Sequence, residues 1–214
     1  MQAPFIVLDG IDGTGKSTQA KMLIDWLHAR GVAAVRCADP GTTPLGEQIR
    51  AILLNRPNEM SLRAEALLFM ASRAEMVEKI IRPSLENGIV IVCDRFVLAN
   101  VVYQGHAGGL DPEELWRIGH FSVNHLEPDI TFVLDLPVDE AATRRGRAPD
   151  RMEARDRLYH ERVREGFLYE ASLQPEKIEV INASASIDAL QNLLRERLLG
   201  LLRQRGFRLT NGTP

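Results

Sequence analysis

Residues 10–17 read Gly-Ile-Asp-Gly-Thr-Gly-Lys-Ser, and this spacing of glycines, lysine and hydroxyl is typical of a loop that binds phosphate. An apolar run at 5–8 precedes it and a helix-periodic stretch follows it, so the order is strand, loop and helix. Glycines tolerate the positive φ angles of a tight loop, whose backbone N–H groups then point at anionic oxygens. Lys16 adds charge for the outer phosphates, and Ser17 offers a hydroxyl to Mg²⁺. A glycine-rich turn with a solvated lysine is the alternative, but the flanking strand and helix favour a nucleoside triphosphate site.

Five short runs rich in β-branched residues predict the strands that position this loop. They lie at 4–8, 32–36, 89–93, 130–136 and 178–182. Helical patterns fill the intervals: from the loop to Gly31, around 45–53, at 61–81 with Pro83 as its end, after Asp111-Pro112, at 152–172 and at 186–205. This alternation predicts an α/β fold of the P-loop NTPase type, a five-stranded parallel sheet with helices on both faces. Ligands of such sheets lie at the carboxyl ends of the strands.

Composition bounds the class of protein. With 214 residues, 45% of them hydrophobic, the chain is long enough for one domain, and we expect a lid at about 144–153 and a frayed tail at about 208–214. A net charge of −3 predicts no large field for nucleic acid or a membrane. Cys37 and Cys93 fit no metal-ligand spacing, and no long apolar segment begins the chain, so we expect a cytoplasmic protein.

Charged residues follow two of the predicted strands. Asp94-Arg95-Phe96 comes directly after the third strand, where Asp94 could hold Mg²⁺ and Arg95 could bind a phosphate with two hydrogen bonds. A structural ion pair between these neighbours is the alternative. Asp39 begins the loop after the second strand, and Arg50 in the next helix could reach a second phosphate or be solvated.

A second group of side chains suits a planar base. Phe69 and Arg73 are four residues apart and share a helix face, where a ring can stack on a base and a guanidinium can donate to its carbonyl. Asn100, Tyr103 and Gln104 fall on one face if a helix follows the third strand, and they could contact the same base and its sugar. The alternatives are a core phenylalanine with a solvated arginine, and a surface amide pair beside a packed tyrosine.

The segment 144–151 carries arginines around a glycine and a proline: Arg144, Arg145, Arg147 and Arg151. A basic loop at the ligand edge could close over phosphates, although such a block can also be merely solvated.

The order and spacing of these motifs resemble the thymidylate kinases of the nucleoside monophosphate kinase group. The resemblance spans about residues 4–200 and is carried by segments 9–18, 39–50, 65–73, 94–96, 103–105 and 150–153. It implies ATP as phosphoryl donor, dTMP as acceptor, Mg²⁺ as cofactor and a homodimer, with no nucleic acid or membrane as partner.

The resemblance also implies a role for each matching position. ATP would be held by Gly10, Ile11, Asp12, Gly13, Thr14, Gly15, Lys16, Ser17 and Thr18. The acceptor would be held by Asp12, Asp39, Arg50, Phe69, Arg73, Arg95, Asn100, Tyr103 and Gln104. The catalytic residues would be Lys16, Arg95, Arg145, Arg147 and Arg151, and the metal would lie at Ser17 and Asp94. Phe69 would stack on thymine, and Tyr103 would crowd a 2′-hydroxyl.

The chain departs from the family pattern at a few positions. Gly13 stands where some members carry an arginine in the phosphate loop, which implies that the lid supplies that charge. The usual Thr-Arg-Glu before Pro-Gly is Cys37-Ala38-Asp39 here, Asp9 replaces a glutamate, and Leu98-Ala99-Asn100 replaces a serine-rich stretch. Two rivals remain at this point: a kinase of another nucleoside monophosphate or of a deoxynucleoside, and a regulatory protein that binds a nucleoside triphosphate.

Overall fold

Five parallel strands form one sheet in the order β2-β3-β1-β4-β5. The strands are β1 (Phe5–Asp9), β2 (Ala34–Ala38), β3 (Val90–Asp94), β4 (Ile130–Asp135) and β5 (Ile178–Asn182). The computed structural model describes residues 3–55, 59–144 and 150–210. The predicted α/β fold is therefore confirmed, and the observed strand ends lie within two residues of the predicted ends.

Helices connect the strands and cover both faces of the sheet. They are α1 (Lys16–His28), α2 (Pro44–Leu54), α3 (Leu62–Met76), α4 (Arg82–Glu86), α5 (Val97–Asn100), α6 (Pro112–Ser122), α7 (Val138–Arg144), α8 (Arg157–Leu173) and α9 (Ile187–Gln204). Two π-helical segments, π1 (Val77–Ile81) and π2 (Val101–His106), continue α3 and α5. None of the helices in the described ranges is long and apolar enough to span a bilayer.

The register of the sheet brings the functional loops together. In β1, Leu8 pairs with Asp94 of β3, so the phosphate loop and the Asp94-Arg95 segment leave the sheet side by side. The backbone N–H of Arg95 donates to the Leu8 carbonyl at 2.9 Å, and that of Asp39 donates to the Asp94 carbonyl at 3.0 Å. The loops after β1, β2 and β3 therefore converge at the carboxyl edge, as expected for this fold.

Side-chain caps define where several helices begin. The Asp111 carboxylate accepts from the N–H of Glu113 at 2.9 Å at the start of α6, as the Asp-Pro sequence predicts. The Asp156 carboxylate accepts from the N–H of Tyr159 at 2.7 Å, so α8 begins at Arg157. The prediction of a helix from 152 was therefore too long, because the Asp156 cap stops the helix from extending back into the lid.

Pro83 does not end the third predicted helix. The chain passes from α3 through π1 into α4, and Pro83 lies in the first turn of α4. A proline lacks an N–H and its ring clashes with the carbonyl four residues earlier, which breaks a regular α-helix. The i→i+5 spacing of π1, seen where the Arg82 N–H donates to the Val77 carbonyl, widens the turn and accommodates the ring.

The predicted tail is only partly described. Residues 211–214 lie outside the described ranges, and Thr210 donates its N–H to the Arg30 carbonyl at 3.1 Å.

Candidate active site

The loop between β1 and α1 has the shape that its glycines predict. Gly10, Gly13 and Gly15 adopt φ angles of 123°, 95° and 95°, in the region that favours glycine. The Lys16 ammonium donates to the carbonyls of Gly10 at 3.1 Å and Ile11 at 2.8 Å, so it lies over the loop. Burial and the nearby positive charge of Arg95 lower the pKa of Lys16. The loop and the α1 N-terminus together form an anion-binding surface.

Two predicted metal ligands meet beside this loop. The Ser17 hydroxyl donates to the Asp94 carboxylate at 2.5 Å, so the first turn of α1 and the end of β3 are in contact. In the described part of the chain, no group of three or more His, Cys, Asp or Glu side chains could hold a metal ion by itself.

Arg95 joins the loop to the end of β3. One guanidinium nitrogen donates to Asp9 at 3.1 Å and to the Gly10 carbonyl at 2.9 Å. The other donates to Asp12 at 2.6 Å and to the Tyr103 hydroxyl at 2.9 Å. Arg95 is also a non-glycine residue at positive φ, 72°, which is a strained conformation held by these contacts. Its side chain therefore lies where the phosphate loop and the adjoining cavity meet.

A cavity of about 690 Å³ opens next to the loop. It is lined by residues of the β1–α1 loop, of the ends of β2 and β3, of α1, α2, α3, α5 and π2, and of the two ends of the lid. The sequence-predicted residues among them are Asp12, Gly13, Gly15, Lys16, Ser17, Thr18, Asp39, Arg50, Phe69, Arg73, Asp94, Arg95, Asn100, Tyr103 and Gln104. The structure therefore gathers both predicted groups, the phosphate ligands and the base ligands, around one space.

Arg73 is buried rather than solvated, although it is charged. Its side chain is 1% exposed, and its Nε donates to the Asp39 carboxylate at 2.5 Å. Its Nη1 donates to the Asn100 amide oxygen at 3.2 Å and to the Met70 sulfur at 3.3 Å. Burial raises the pKa of Asp39, although the charge of Arg73 and its hydrogen bond lower it. Half-buried Phe69 lies one turn earlier on the same face of α3. The alternative of a core phenylalanine with a solvated arginine is therefore excluded.

Glu65 is a site residue that had no predicted role. It lies on α3 one turn before Phe69, it is 1% exposed, and it accepts a hydrogen bond from the Gln104 amide at 2.8 Å. It also pairs with Arg151 at 2.7 Å and Arg155 at 3.0 Å. The i, i+4, i+8 spacing of residues 65, 69 and 73 was a signal in the sequence that this carboxylate shares the base-binding face.

The lid is described only at its two ends. Arg145 and Arg147, two predicted catalytic residues, lie outside the described residues. Arg151 donates to the Leu53 carbonyl at 2.6 Å and pairs with Glu65, so the end of the lid is fastened to α2 and α3. Arg144 at the other end lines the cavity and donates to the Ala183 carbonyl at 2.8 Å.

Two aspartates, one at the end of β1 and one in the loop that follows it, have displaced pKa values. Burial raises the pKa of Asp9 to about 6, although Arg95, Lys16 and the hydrogen bond from the Gly10 N–H lower it. Burial also acts to raise the pKa of Asp12, but the charges of Arg95 and Lys16 and the hydrogen bonds from Arg95 and Tyr103 hold it well below its usual range. Asp12 is therefore the permanent anion that holds Arg95 against the loop.

Arg50 approaches the same cavity from α2. Its guanidinium donates to the Pro40 carbonyl at 2.7 Å, in the loop that follows β2. This contact directs Arg50 toward the cavity that it lines, rather than toward bulk solvent.

A phosphate loop beside an open cavity that is lined by charged and aromatic side chains defines a P-loop phosphotransferase with separate donor and acceptor positions. Comparison with known proteins identifies the family. The model of the thymidylate kinase family matches residues 8–194. The thymidylate kinase of Symbiobacterium thermophilum is 46% identical over 212 residues, covering 98% of this chain and 99% of that protein. Those of Rhodopirellula baltica and Exiguobacterium sibiricum are 44% and 41% identical, covering 86% and 96% of this chain and 75% and 98% of those proteins.

The chain belongs to the thymidylate kinase family. It is a phosphotransferase that phosphorylates dTMP with ATP as the phosphoryl donor, and the product is dTDP.

The raised pKa of Asp9 predicts a pH-dependent stability. Because the folded-state pKa of about 6 exceeds the ordinary value of 3.8, the folded protein binds more protons than the unfolded chain between these pH values. The stabilising contribution is thus fully present below pH 4 and is lost as the pH rises to 6. We expect the unfolding free energy of wild type to fall, relative to that of Asp9→Asn, by about 2–3 kcal/mol as the pH rises from 4 to 7.

Urea unfolding of both proteins across this pH range tests the expectation. A difference in unfolding free energy that stays constant with pH would show that Asp9 is ionised in the folded protein throughout.

Proposed function

We propose that the protein catalyses direct in-line transfer of the γ-phosphoryl group of ATP to the phosphate of dTMP. An oxygen of the acceptor phosphate forms a bond to the γ-phosphorus while the bond to the β-phosphate oxygen breaks, so ADP leaves. The acceptor phosphate is already anionic, so the reaction requires no general base. The observation that carries this proposal is the position of Arg95, whose guanidinium lies between the phosphate loop and the acceptor cavity. The main tasks are positioning and charge stabilisation.

The donor half of the site is the phosphate loop. Its backbone N–H groups and Lys16 hold the ATP phosphates, with Thr18 and the rest of the loop around them. Arg95 and Arg50 hold the acceptor phosphate, because both guanidinium groups line the cavity next to the loop. Asp12 contacts the sugar 3′-hydroxyl of the acceptor and keeps Arg95 in place.

The residues near the loop fit a Mg²⁺ site. The Ser17 hydroxyl and the Asp94 carboxylate are hard oxygen donors that already touch, and Mg²⁺ usually takes one or two protein ligands together with phosphates and waters. When bound, Mg²⁺ neutralises charge on the ATP phosphates.

The lid supplies the remaining positive charge. The loop carries Gly13 rather than an arginine, so Arg145, Arg147 and Arg151 are the arginines assigned to the transferring phosphoryl group. The contacts of Arg151 with Glu65 and Leu53 fix one end of the lid next to the cavity.

The acceptor pocket suits thymine. Phe69 stacks on the base, and Nη2 of Arg73, for which no protein acceptor is found among the described residues, is left to donate to a base carbonyl. Tyr103 lies below the sugar, where its packing against Tyr159 and Phe167 leaves little room for a 2′-hydroxyl. A regulatory nucleotide-binding protein would not need such a pocket.

We expect kcat/KM to rank dTMP first, dUMP next, and ribonucleotides, dCMP and purine monophosphates well below. The thymine methyl group contributes only about 1–3 kcal/mol, so kcat/KM for dUMP should be lower than that for dTMP by no more than about 200-fold. The 2′-hydroxyl of a ribonucleotide would lose its hydrogen bonds to water without finding a partner in the pocket, and this desolvation should lower kcat/KM further. ADP release with dTMP, dUMP, UMP, dCMP and dGMP at one ATP concentration measures the ranking, and a parallel EDTA series tests the metal.

Preference for a purine or a ribonucleotide would contradict the acceptor assignment. Full activity in EDTA would contradict the Mg²⁺ site. ADP release that does not depend on any monophosphate would contradict phosphoryl transfer to an acceptor.

We also propose that the protein is a cytoplasmic homodimer. Cys37 and Cys93 are buried free thiols, as in a reducing compartment. Exposed apolar side chains gather on the packed helices α3 and α6, where Phe121 is 82% exposed and Leu67 and Ile118 are also exposed. An apolar patch of this kind is typical of a subunit interface.

Sedimentation equilibrium of Phe121→Glu tests the dimer. A charge in the centre of an isologous interface is repeated by symmetry, so this variant should shift toward the mass of one chain. Leu173→Glu is the matched control, because Leu173 is an exposed leucine on α8. A wild-type protein with the mass of one chain, or equal masses for both variants, would contradict the proposed interface.

A further inference from the structure

The base pocket contains one continuous chain of hydrogen bonds. Nη1 of Arg73 donates to the Asn100 amide oxygen at 3.2 Å, and the Asn100 amide nitrogen donates to the Gln104 amide oxygen at 2.8 Å. The Gln104 amide nitrogen then donates to the Glu65 carboxylate at 2.8 Å. These four side chains are all buried. The chain runs from α3 through α5 and π2 and returns to α3.

The chemistry of its two ends fixes the direction of this chain. A guanidinium can only donate, so the atom of Asn100 that faces Arg73 must be its oxygen. A carboxylate can only accept, so the atom of Gln104 that faces Glu65 must be its nitrogen. The two requirements agree, because they leave a nitrogen of Asn100 facing an oxygen of Gln104. Reversing either amide would set donor against donor or acceptor against acceptor.

This direction decides which pyrimidine the pocket can accept. Arg73 and Asn100 both line the cavity, and the N–H groups of Arg73 lie next to the amide oxygen of Asn100 there. Thymine and uracil carry a carbonyl at position 4 and an N–H at position 3, which match one donor and one acceptor. Cytosine carries an amino group at position 4 and a nitrogen without hydrogen at position 3. Its donor would therefore face the Arg73 donor, and its acceptor would face the Asn100 acceptor. Unmatched buried polar groups are costly.

Glu65 is held firmly at the far end of the chain. Its carboxylate is 1% exposed, and Arg155 donates to both of its oxygens at 3.1 and 3.0 Å, while Arg151 pairs with it at 2.7 Å. Two guanidinium groups, one from the end of the lid and one from the segment that follows it, therefore compensate the buried charge. These contacts hold the carboxylate in the position where Gln104 donates to it.

We propose that Glu65 is a positioning residue that sets the selectivity for 4-carbonyl over 4-amino pyrimidines by fixing the orientation of the Gln104 and Asn100 amides. The inference rests on the proposed role of Arg73 and Asn100 in binding the base. Glu65 itself lies behind Gln104, so it acts on the acceptor only through the two amides.

The test compares dUMP and dCMP, which differ only in the groups at positions 3 and 4 of the base. Glu65→Gln keeps the shape of the side chain but gives it a donor as well as an acceptor, so Gln104 is satisfied in either orientation. We expect the ratio of kcat/KM for dUMP over dCMP to fall at least about tenfold, chiefly through a higher KM for dUMP. ADP release gives kcat/KM, and calorimetric Kd values replace it for acceptors that turn over too slowly.

Arg155→Met is the matched control, because it removes a partner of Glu65 but leaves the carboxylate and both amides in place. It should change the rates with dUMP and dCMP in parallel and leave their ratio within about twofold of wild type. Loss of the Arg155 contact alone affects both acceptors equally, because Arg151 still pairs with Glu65, so the effect cancels in the ratio.

Two further variants separate the inference from the base pocket that it rests on. Asn100→Ala should abolish most of the selectivity, and if the ratio is kept, the base pocket is wrongly assigned and the proposal fails with it. If Asn100→Ala lowers the dUMP-over-dCMP ratio of kcat/KM but a folded Glu65→Gln leaves it unchanged, only the proposed role of Glu65 is overturned. Should circular dichroism show that Glu65→Gln does not fold, Gln104→Met interrupts the same chain, and an unchanged ratio there is equally contradictory.

Discussion

The guanidinium of Arg95 is the contact on which the rest of the site depends. It emerges from the end of β3 in a strained backbone conformation and meets Asp9 at the end of β1 and Asp12 in the phosphate loop. Burial alone would lower the pKa of Arg95, but the negative charges of these aspartates raise it well above its usual range. The cation thus keeps its charge at the point where donor and acceptor phosphates must meet. The pairing of β1 with β3 makes this possible, since it brings the two loops out of the sheet together.

The acceptor pocket depends on buried ion pairs within the protein. Arg73 and Glu65 are charged and almost fully buried, and each has its opposite charge and hydrogen-bond partners nearby. Removing one partner of such a pair costs several kcal/mol, typically about 3–5, because the other charge is left buried without compensation. The same pairs fix the orientation of the amides between them. The polar interior of this pocket therefore contributes specificity more than stability.

The sequence alone predicted most of the framework. The phosphate loop, five strands and the helix starting at Asp111 carry local signals of glycine spacing, β-branched runs and capping that tertiary contacts do not override. The convergence of Phe69, Arg73, Asn100, Tyr103 and Gln104 followed from helical spacing together with the family resemblance.

Other features depend on contacts that no local pattern contains. Proline is a strong signal for the end of a helix, but Pro83 is tolerated because π1 widens the turn before it. Helical spacing places Glu65 on the face of Phe69 and Arg73, but its partners come from positions 104, 151 and 155, which are far away in the sequence. Its burial was therefore not visible in any local pattern. Arg95 was predicted as a phosphate ligand, yet its contacts with Asp9 and Asp12 are visible only in the fold.

A double-mutant cycle between Arg95 and Asp12 tests most directly whether the loop and the cavity work as one unit. Single-turnover phosphoryl transfer would be measured for Arg95→Met, Asp12→Asn and the double variant, with exposed Asp139→Asn replacing Asp12→Asn in a control cycle. If Asp12 acts by holding Arg95 in place, the double variant should be at least about tenfold faster than the product of the two single effects predicts, while the control cycle is additive. Additive effects of Arg95→Met and Asp12→Asn would contradict the account.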